Sequence, residues 1–286
     1  VTGATSGIGK EIAAGLASMG ATVVVAGRDR GRCEAAVSEM RKRSEGSGPQ
    51  LSYLAADLSL LADVRRLADE FSAAHDRLDV LVNNAGAFSA ERRVTVDGLE
   101  YTFAVNHLAP FLLTNLLIGR LRAAASASSS SSSSTPAARS RIVTTSSVAH
   151  KGTSMDFDDL QFERRKYSGI KAYSQSKLAN ILFTRELARK RLDAGQVTAN
   201  CFHPGAVRTG LVRNGVYAAV WSVAGPFMLT PEKGADTGIY LASSPEVEGV
   251  TGGYFVKRKK VEPSAEAQDD SAAARLWQVS EELTGF

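Results

Sequence analysis

Val1-Thr2-Gly3-Ala4-Thr5-Ser6-Gly7-Ile8-Gly9-Lys10 opens the chain, and Ile12, Ala13, Leu16 and Ala17 follow it at helical spacing. The pattern reads as a strand end, a glycine-rich turn and a helix. Glycine lets the backbone come close to a phosphate, and the first turn of a helix offers unpaired N–H groups to an anion. The spacing here is G-x-x-x-G-x-G, not the G-x-G-x-x-G of the common dinucleotide fingerprint. Such a turn can be only a turn, but its place at a strand-to-helix junction favours phosphate binding. The strand is expected to begin before Val1, where a targeting peptide or membrane anchor would also sit.

Outward from this turn, strands and helices alternate. Ala21-Thr22-Val23-Val24-Val25-Ala26 is an apolar run suited to a strand buried on both faces of a parallel sheet. Helices are expected over about 30–44 and 61–74, and strands over 51–55 and 79–83. Further strands are expected at 141–147, 197–202 and, as a short last one, 253–256, with helices at 172–190, 232–243 and 272–283. Alternation of this kind argues for an α/β fold, a single Rossmann-type domain over 1–286 with a doubly wound parallel sheet flanked by helices. Ligands of such sheets lie beyond the carboxyl ends of the strands. The glycine turn, Arg28, Asp57 with Leu58, and Asn84-Ala85-Gly86 all fall at such ends. At the tip of the second strand an Arg suits the 2′-phosphate of NADP and an acid the 2′-hydroxyl of NAD. Arg28 comes first and favours NADP(H), Asp29 beside it keeps NAD(H) open, and both also read as a solvated turn. The amides of Asn83 and Asn84 would lock neighbouring strands or line a cofactor.

At 286 residues and 44% apolar, the chain can bury a large core. The net charge of +4 is spread along the helices, with dense clusters only at 41–43, 164–166 and 257–260. These read as solvated faces, and no nucleic-acid signature accompanies them. Cys33 and Cys201 give neither a disulfide framework nor metal-ligand spacing, which fits a reducing, cytoplasmic compartment, and the four His are isolated, so no metal is expected. No uninterrupted apolar run is long enough to span a bilayer.

Leu99 to Arg122 is expected to be a long apolar helix containing Asn106. A buried Asn needs partners, either as a structural hydrogen-bonder or as part of a site. Residues 123–140 form an Ala/Ser-rich insertion, with seven serines from Ser128 to Ser134, expected as a flexible surface loop. Ser147 ends a strand where the ligand crevice should lie. The apolar, glycine-interrupted stretch 211–229, within a segment 209–231, suits a lid over a lipophilic pocket, and equally packing against a partner or a membrane surface.

Ala172 to Asn180 opens a helix with Tyr173 and Lys177 four residues apart on one face. A phenol works near neutral pH only if its pKa of about 10 is pulled down, and three units cost about 4 kcal/mol. A single ammonium at ~4 Å supplies about 4 kcal/mol at an effective dielectric of ~20 and about 1 in water, so the pair needs a largely dry cleft. Tyr167 and Lys171 repeat the spacing, but Ser168 and Gly169 between them belong to the loop side of a helix boundary. On spacing alone, Tyr173 and Lys177 also fit an ordinary surface helix.

Thr2-Gly3-x-x-x-Gly7-x-Gly9, Asp57, Asn83-Asn84-Ala85-Gly86, Asn106, Ser147, Tyr173-x-x-x-Lys177 and Pro204-Gly205 stand in the order of the short-chain dehydrogenase/reductase superfamily, which the chain resembles from Val1 to about Val256. Val105-Asn106-His107-Leu108-Ala109-Pro110-Phe111, Ser146-Ser147-Val148-Ala149-His150, the run from Ser176 to Phe183 and His203-Pro204-Gly205 resemble its retinol dehydrogenase-like branch. The resemblance implies that Tyr173 is the acid/base and that Lys177 lowers its pKa and binds the nicotinamide ribose. It implies that Ser147 bonds the carbonyl oxygen and that Asn106 holds the water and backbone of a proton relay. Cofactor contacts would come from Gly3, Thr5, Ser6, Gly7, Ile8, Gly9, Arg28, Asp57, Leu58, Asn84, Ala85, Gly86, Tyr173, Lys177, Pro204, Gly205, Val207 and Thr209, the last at the nicotinamide carboxamide. The expected activity is NADP-dependent hydride transfer to or from a small lipophilic aldehyde, ketone or alcohol, retinoids among them. The alternatives are a silent NADP-binding regulator or scaffold and a reductase of a steroid or quinone. Family habit suggests a homodimer through the helices of Asn106 and Tyr173. Membrane association would come through the preceding N-terminus or the 211–229 stretch.

Overall fold

The computed structural model describes residues 1–43, 50–129, 139–192, 196–207 and 228–286. Thr209, most of the 209–231 segment and residues 130–138 of the Ala/Ser insertion lie outside them. In chain order the elements are α1 (Gly7–Ser18), β1 (Val23–Gly27), α2 (Arg30–Arg43), β2 (Leu51–Ala55), α3 (Leu61–Ala74) and β3 (Val80–Asn83). Then come α4 (Tyr101–Phe103), a π-helical turn (Ala104–Leu108), α5 (Ala109–Ser129), β4 (Ser140–Thr145), α6 (Gly169–Glu186) and β5 (Val197–His203). The chain closes with α7 (Pro231–Ser243), β6 (Tyr254–Val256), β7 (Lys259–Val261) and α8 (Asp270–Thr284).

β1 and β2 pair in parallel, and β3-β4-β5-β6-β7 form a second sheet, parallel as far as β6. Val1 and Thr2 fill the slot between the two sheets. The Ala26 amide donates to the Val1 carbonyl at 2.9 Å, and the Thr2 amide to the Val82 carbonyl at 3.0 Å. From this slot the chain winds outward to β1 and β2, then returns to β3 on the other side. The order therefore reverses between Thr2 and β3, the switch point at which a doubly wound sheet opens its crevice.

Both faces of the sheet are covered, which is why its strands read as nearly continuous apolar runs. On one face Val25, Val82, Val143 and Phe202 pack with Ile12 of α1, Met40 of α2 and Leu241 of α7. On the other, Leu81, Ile142 and Ala199 meet Phe71 of α3, Leu112 and Leu117 of α5, and Phe183 of α6. Every residue of α6 from Ser174 to Thr184 is buried. Its outer side is covered by α8, where Trp277 stacks on Phe183 at 5.8 Å and meets Phe111 edge-on at 4.9 Å. The outer side of α6 is thus packed under the chain's own C-terminal helix.

Three expectations are corrected. The helix does not stop at Arg122: α5 continues through Ala123–Ser129, since alanine is the best helix former and costs nothing to extend. Over Tyr101–Ser126 the helical stretch is long and apolar enough to cross a membrane by length and composition, contrary to the sequence reading, although most of it is buried in the core. Tyr254–Val256 is not the last strand, because the 257–260 cluster folds back as β7 at the sheet edge, antiparallel, with Phe255 opposite Lys260. Lys257 and Arg258 take the left-handed conformation at φ 50° and 62°, as a two-residue hairpin requires. An ion pair from Arg258 to Asp236 and a bond from its amide to the Thr237 hydroxyl hold that turn.

Candidate active site

The glycine turn lies against the end of β3. A Cβ on Gly3 would stand 2.7 Å from the Ala85 Cα, and one on Gly9 2.3 Å from Asn84 Nδ2 and 2.5 Å from the Gly3 carbonyl oxygen, so neither position accepts a side chain. Gly3 and Gly7 have φ of +64° and +59°. Of the two uses expected of Asn84, the structure shows the lock between strands. Its Nδ2 donates to the Thr2 carbonyl at 3.0 Å, locking the switch point, and it lines the cavity that opens there. That cavity has a volume of about 900 Å³.

α1 begins at the cavity wall. Ser6 is its N-cap without a side-chain bond, and no acid sits in the first turn, so the leading N–H groups keep their pull on an anion. Thr5, Ser6, Gly7 and Ile8 line the cavity beside them. At the tip of β1, Arg28 stands 4.0 Å from Asp57 and is 64% exposed, too open for a strong ion pair. Asp57 spends one oxygen on the Ser59 amide and hydroxyl. Asp29 caps α2, its carboxylate accepting from the Arg32 amide at 2.8 Å. The Arg32 guanidinium reaches the Ser6 hydroxyl of the glycine turn at 3.4 Å and lines the cavity. Arg32 escaped the sequence reading; an Asp three residues before a helical Arg was the available signal.

Ser147, Tyr173 and Lys177 converge at the other end of the cavity. Ser147 caps the 3-10 turn Val148–His150. Its Oγ accepts from the Ala149 amide at 3.1 Å, so that cap does not use the hydroxyl proton, which is turned to the Tyr173 phenol. Tyr173 and Lys177 share one face of α6, which the Ser168 side chain caps, and the ammonium stands 5.5 Å from the centre of the phenol ring. Burial pushes the Tyr173 phenol up to about 12, against the pull of a hydrogen bond from Ser147. Burial also brings Lys177 down to about 8. Lys177 was expected to lower the phenol; here burial raises it, and the group that pulls against burial is the Ser147 hydroxyl. The ammonium, 2% exposed, is turned to the Thr145 carbonyl at 3.1 Å.

Asn106 sits fully buried in the π-helical turn and does not line the cavity. Its Oδ1 accepts from the Ala87 amide at 2.6 Å, and its Nδ2 donates to the Ala87 carbonyl at 3.0 Å and to the Ser176 hydroxyl at 2.9 Å. It clamps the segment that follows Gly86. A Cβ on Gly86 would lie 3.6 Å from Asn106 Oδ1 and 3.7 Å from Lys177 Nζ, so the clamp, the glycine and the ammonium share one corner.

Leu58, Ala85, Pro204, Gly205 and Val207 also line the cavity, and Gly205 holds φ +91°. The sequence reading did not single out its apolar wall of Phe88, Val105, Val148 and Ile170. Phe88 meets the Tyr173 ring edge-on at 6.2 Å, while Val148 and Ile170 are 45% and 54% exposed at the mouth.

The short chain dehydrogenase family model matches residues 1–217. The whole chain aligns with human retinol dehydrogenase 14 at 44% identity over 85% of that protein, and with human retinol dehydrogenase 13 at 41% over 84%. A solved structure described as a Pseudomonas aeruginosa RhlG/NADP active-site complex is similar, with a TM-score of 0.66 and 28% identity, over 89% of this chain and 92% of that one.

Proposed function

Because the chain belongs to the short-chain dehydrogenase/reductase family, in its retinol dehydrogenase-like branch, and is an NAD(P)-dependent oxidoreductase of CH–OH groups, we propose that it uses NADP(H) to interconvert a lipophilic aldehyde or ketone and its alcohol, with Tyr173 as acid/base. The observation that carries this reading is the convergence of Ser147, Tyr173 and Lys177 on the cavity that starts at the glycine turn.

The glycine turn and the N-terminus of α1 suit the cofactor's pyrophosphate, since a side chain at Gly3 or Gly9 would meet the strand end. Arg28 and Arg32 bring two guanidinium groups to the mouth where an adenosine 2′-phosphate would lie, and this supports NADP(H) over NAD(H). Asp29 does not compete for a ribose with the oxygen it spends on capping α2. The nicotinamide, when bound, supplies or accepts the hydride. Ser147 hydrogen-bonds the substrate oxygen with the hydroxyl it otherwise turns to Tyr173, and Tyr173 gives that oxygen a proton during reduction or removes one during oxidation. With its phenol held protonated by burial, the site is ready for reduction. Lys177, charged below about pH 8, stabilises the phenolate that reduction leaves behind. Asn106 keeps the Ala87 backbone in place beneath them. Thr209, outside the described residues, keeps only the role that the family resemblance implies.

The apolar wall of Phe88, Val105, Val148 and Ile170 supports a lipophilic substrate, because a carbonyl compound entering past it sheds apolar surface from water at about 25 cal/mol per Å². Absorbance at the reduced-nicotinamide band tests the reading, with NADPH and NADH offered beside retinal, straight-chain aldehydes and a steroid ketone. NADPH consumption with a lipophilic aldehyde, lost in Tyr173→Phe, is expected. Tight NADPH binding without turnover of any of these would favour a silent binding protein.

A further inference from the structure

A serine hydroxyl can aim its proton at a substrate oxygen only if the backbone that carries it is fixed. Ser147 leaves β4 through a short turn, and its carbonyl is held by a side chain from that turn. Nδ1 of His150 lies 2.6 Å from the Ser147 carbonyl oxygen, and Nε2 lies 3.1 Å from the backbone nitrogen of Ser264. A carbonyl oxygen has no proton, so Nδ1 donates. An amide N–H has no lone pair to offer, so Nε2 accepts. Together the contacts admit one form of the ring, neutral and protonated at Nδ1.

The surroundings keep that form in place. His150 is fully buried and stands edge-on to the Tyr254 ring at 5.1 Å. Burial holds its pKa below the ordinary histidine value; the bond to Ser147 raises it, Lys151 lowers it and Glu266 raises it. Ser264 belongs to the segment between β7 and α8 and caps the 3-10 turn Ala265–Gln268. One imidazole thus ties the exit of β4 to a segment 114 residues further along the chain. The ring does not line the cavity, so it acts through Ser147 and not on the substrate.

We infer that His150 is a positioning residue of the active site, clamping the Ser147 carbonyl to the Ser264 amide and thereby aiming the Ser147 hydroxyl at the substrate oxygen. The inference rests on the reading of Ser147 as donor to that oxygen, given under Proposed function.

Two measurements test it. Imidazole nitrogen chemical shifts of the whole chain at pH 7 should show His150 neutral with the proton on Nδ1; a proton on Nε2 would overturn the clamp. Kinetics with NADPH and the aldehyde turned over fastest in the panel supply the second. Ser147→Ala should lower kcat by about 100-fold. His150→Leu, which removes both bonds, should lower kcat by about ten-fold while the KM for NADPH stays unchanged. His150→Asn keeps an N–H near the Nδ1 position and should restore most of that loss. On the Ser147→Ala background His150→Leu should cost nothing more, because the group it positions is gone. An undiminished kcat in His150→Leu, or the same loss repeated on the Ser147→Ala background, overturns the inference. If the Leu variant does not fold, His150→Gln replaces it, and equal kcat in the Asn and Gln variants is the overturning result. Full activity of Ser147→Ala would instead overturn the reading of Ser147 itself.

Discussion

Tyr167/Lys171 and Tyr173/Lys177 have the same spacing six residues apart, and the fold treats them oppositely. Tyr167 precedes α6, and its hydroxyl lies 3.0 Å from Glu100 Oε1 and 3.3 Å from the Ser89 carbonyl. Burial and then Glu100 raise its pKa, with the Thr102 hydroxyl opposing, and its Lys171 is exposed. Tyr173 and Lys177 lie together on α6, the ammonium 2% exposed and the phenol facing the cavity beside Ser147. Glu100 also caps α4, accepting from the amides of Thr102 and Phe103. Tyr167 is therefore part of the joint that seats the helix of Asn106. A repeated motif is chemical only where both of its members reach the same dry space; elsewhere the same atoms are structural.

The comparison breaks first at the phenols. Tyr173→Phe should lower kcat by about 10³-fold with NADPH affinity little changed, measured by turnover and by cofactor fluorescence titration. If Tyr167→Phe produced that loss instead, the assignment would be reversed. The lysines come next. Lys177→Met should reduce kcat by about 10²-fold and at the same time stabilise the fold at pH 7. Burial lowers the ammonium from 10.5 to about 8, so between those values the unfolded chain holds a proton that the folded chain does not. Stability contributed at this site therefore rises with pH across that window, and below it the fold carries the full cost of burying the charge. The advantage of the Met variant in denaturant melts should shrink as pH climbs from 8 towards 10.5. The Thr145 carbonyl left by the ammonium keeps its bond from Asn180.

Smaller effects sharpen the other side. Tyr167→Phe should leave kcat within about two-fold and cost about 1–2 kcal/mol in denaturant unfolding, because buried Glu100 loses a donor. Lys171→Met should change stability by less than about 0.5 kcal/mol and leave the kinetics alone. A kinetic effect at Lys171 would mean that the exposed end of α6 takes part in the chemistry.

How far the site was legible follows the range of each interaction. The glycine turn, Arg28, Asp57, Asn84, Ser147 and the Tyr173/Lys177 face were readable because each depends on its immediate neighbours or on a strand end. Asn106 could be singled out as a buried polar group, but its partner, the Ala87 backbone, lies 19 residues away and was invisible. Arg32 lines the cavity where its guanidinium meets the Ser6 hydroxyl, 26 residues away, a contact that no local pattern gives. The 257–260 cluster carries no strand pattern, and its pairing is imposed by β6. The upward shift of Tyr173 was not readable because the sequence shows the neighbouring Lys177 but not the burial that raises the phenol.

By itself the sequence determined the alternation of strands and helices, the helical phase that puts Tyr173 and Lys177 on one face, and the small residues where the first helix begins. These follow from periodicity and sterics, which act over a few residues. The tertiary structure decided which of the two tyrosines faces a cavity, that α8 covers α6, and that His150 joins Ser147 to Ser264. Burial and hydrogen bonding between segments a hundred residues apart exist only once the chain has closed, and they set which of its polar groups are free to react.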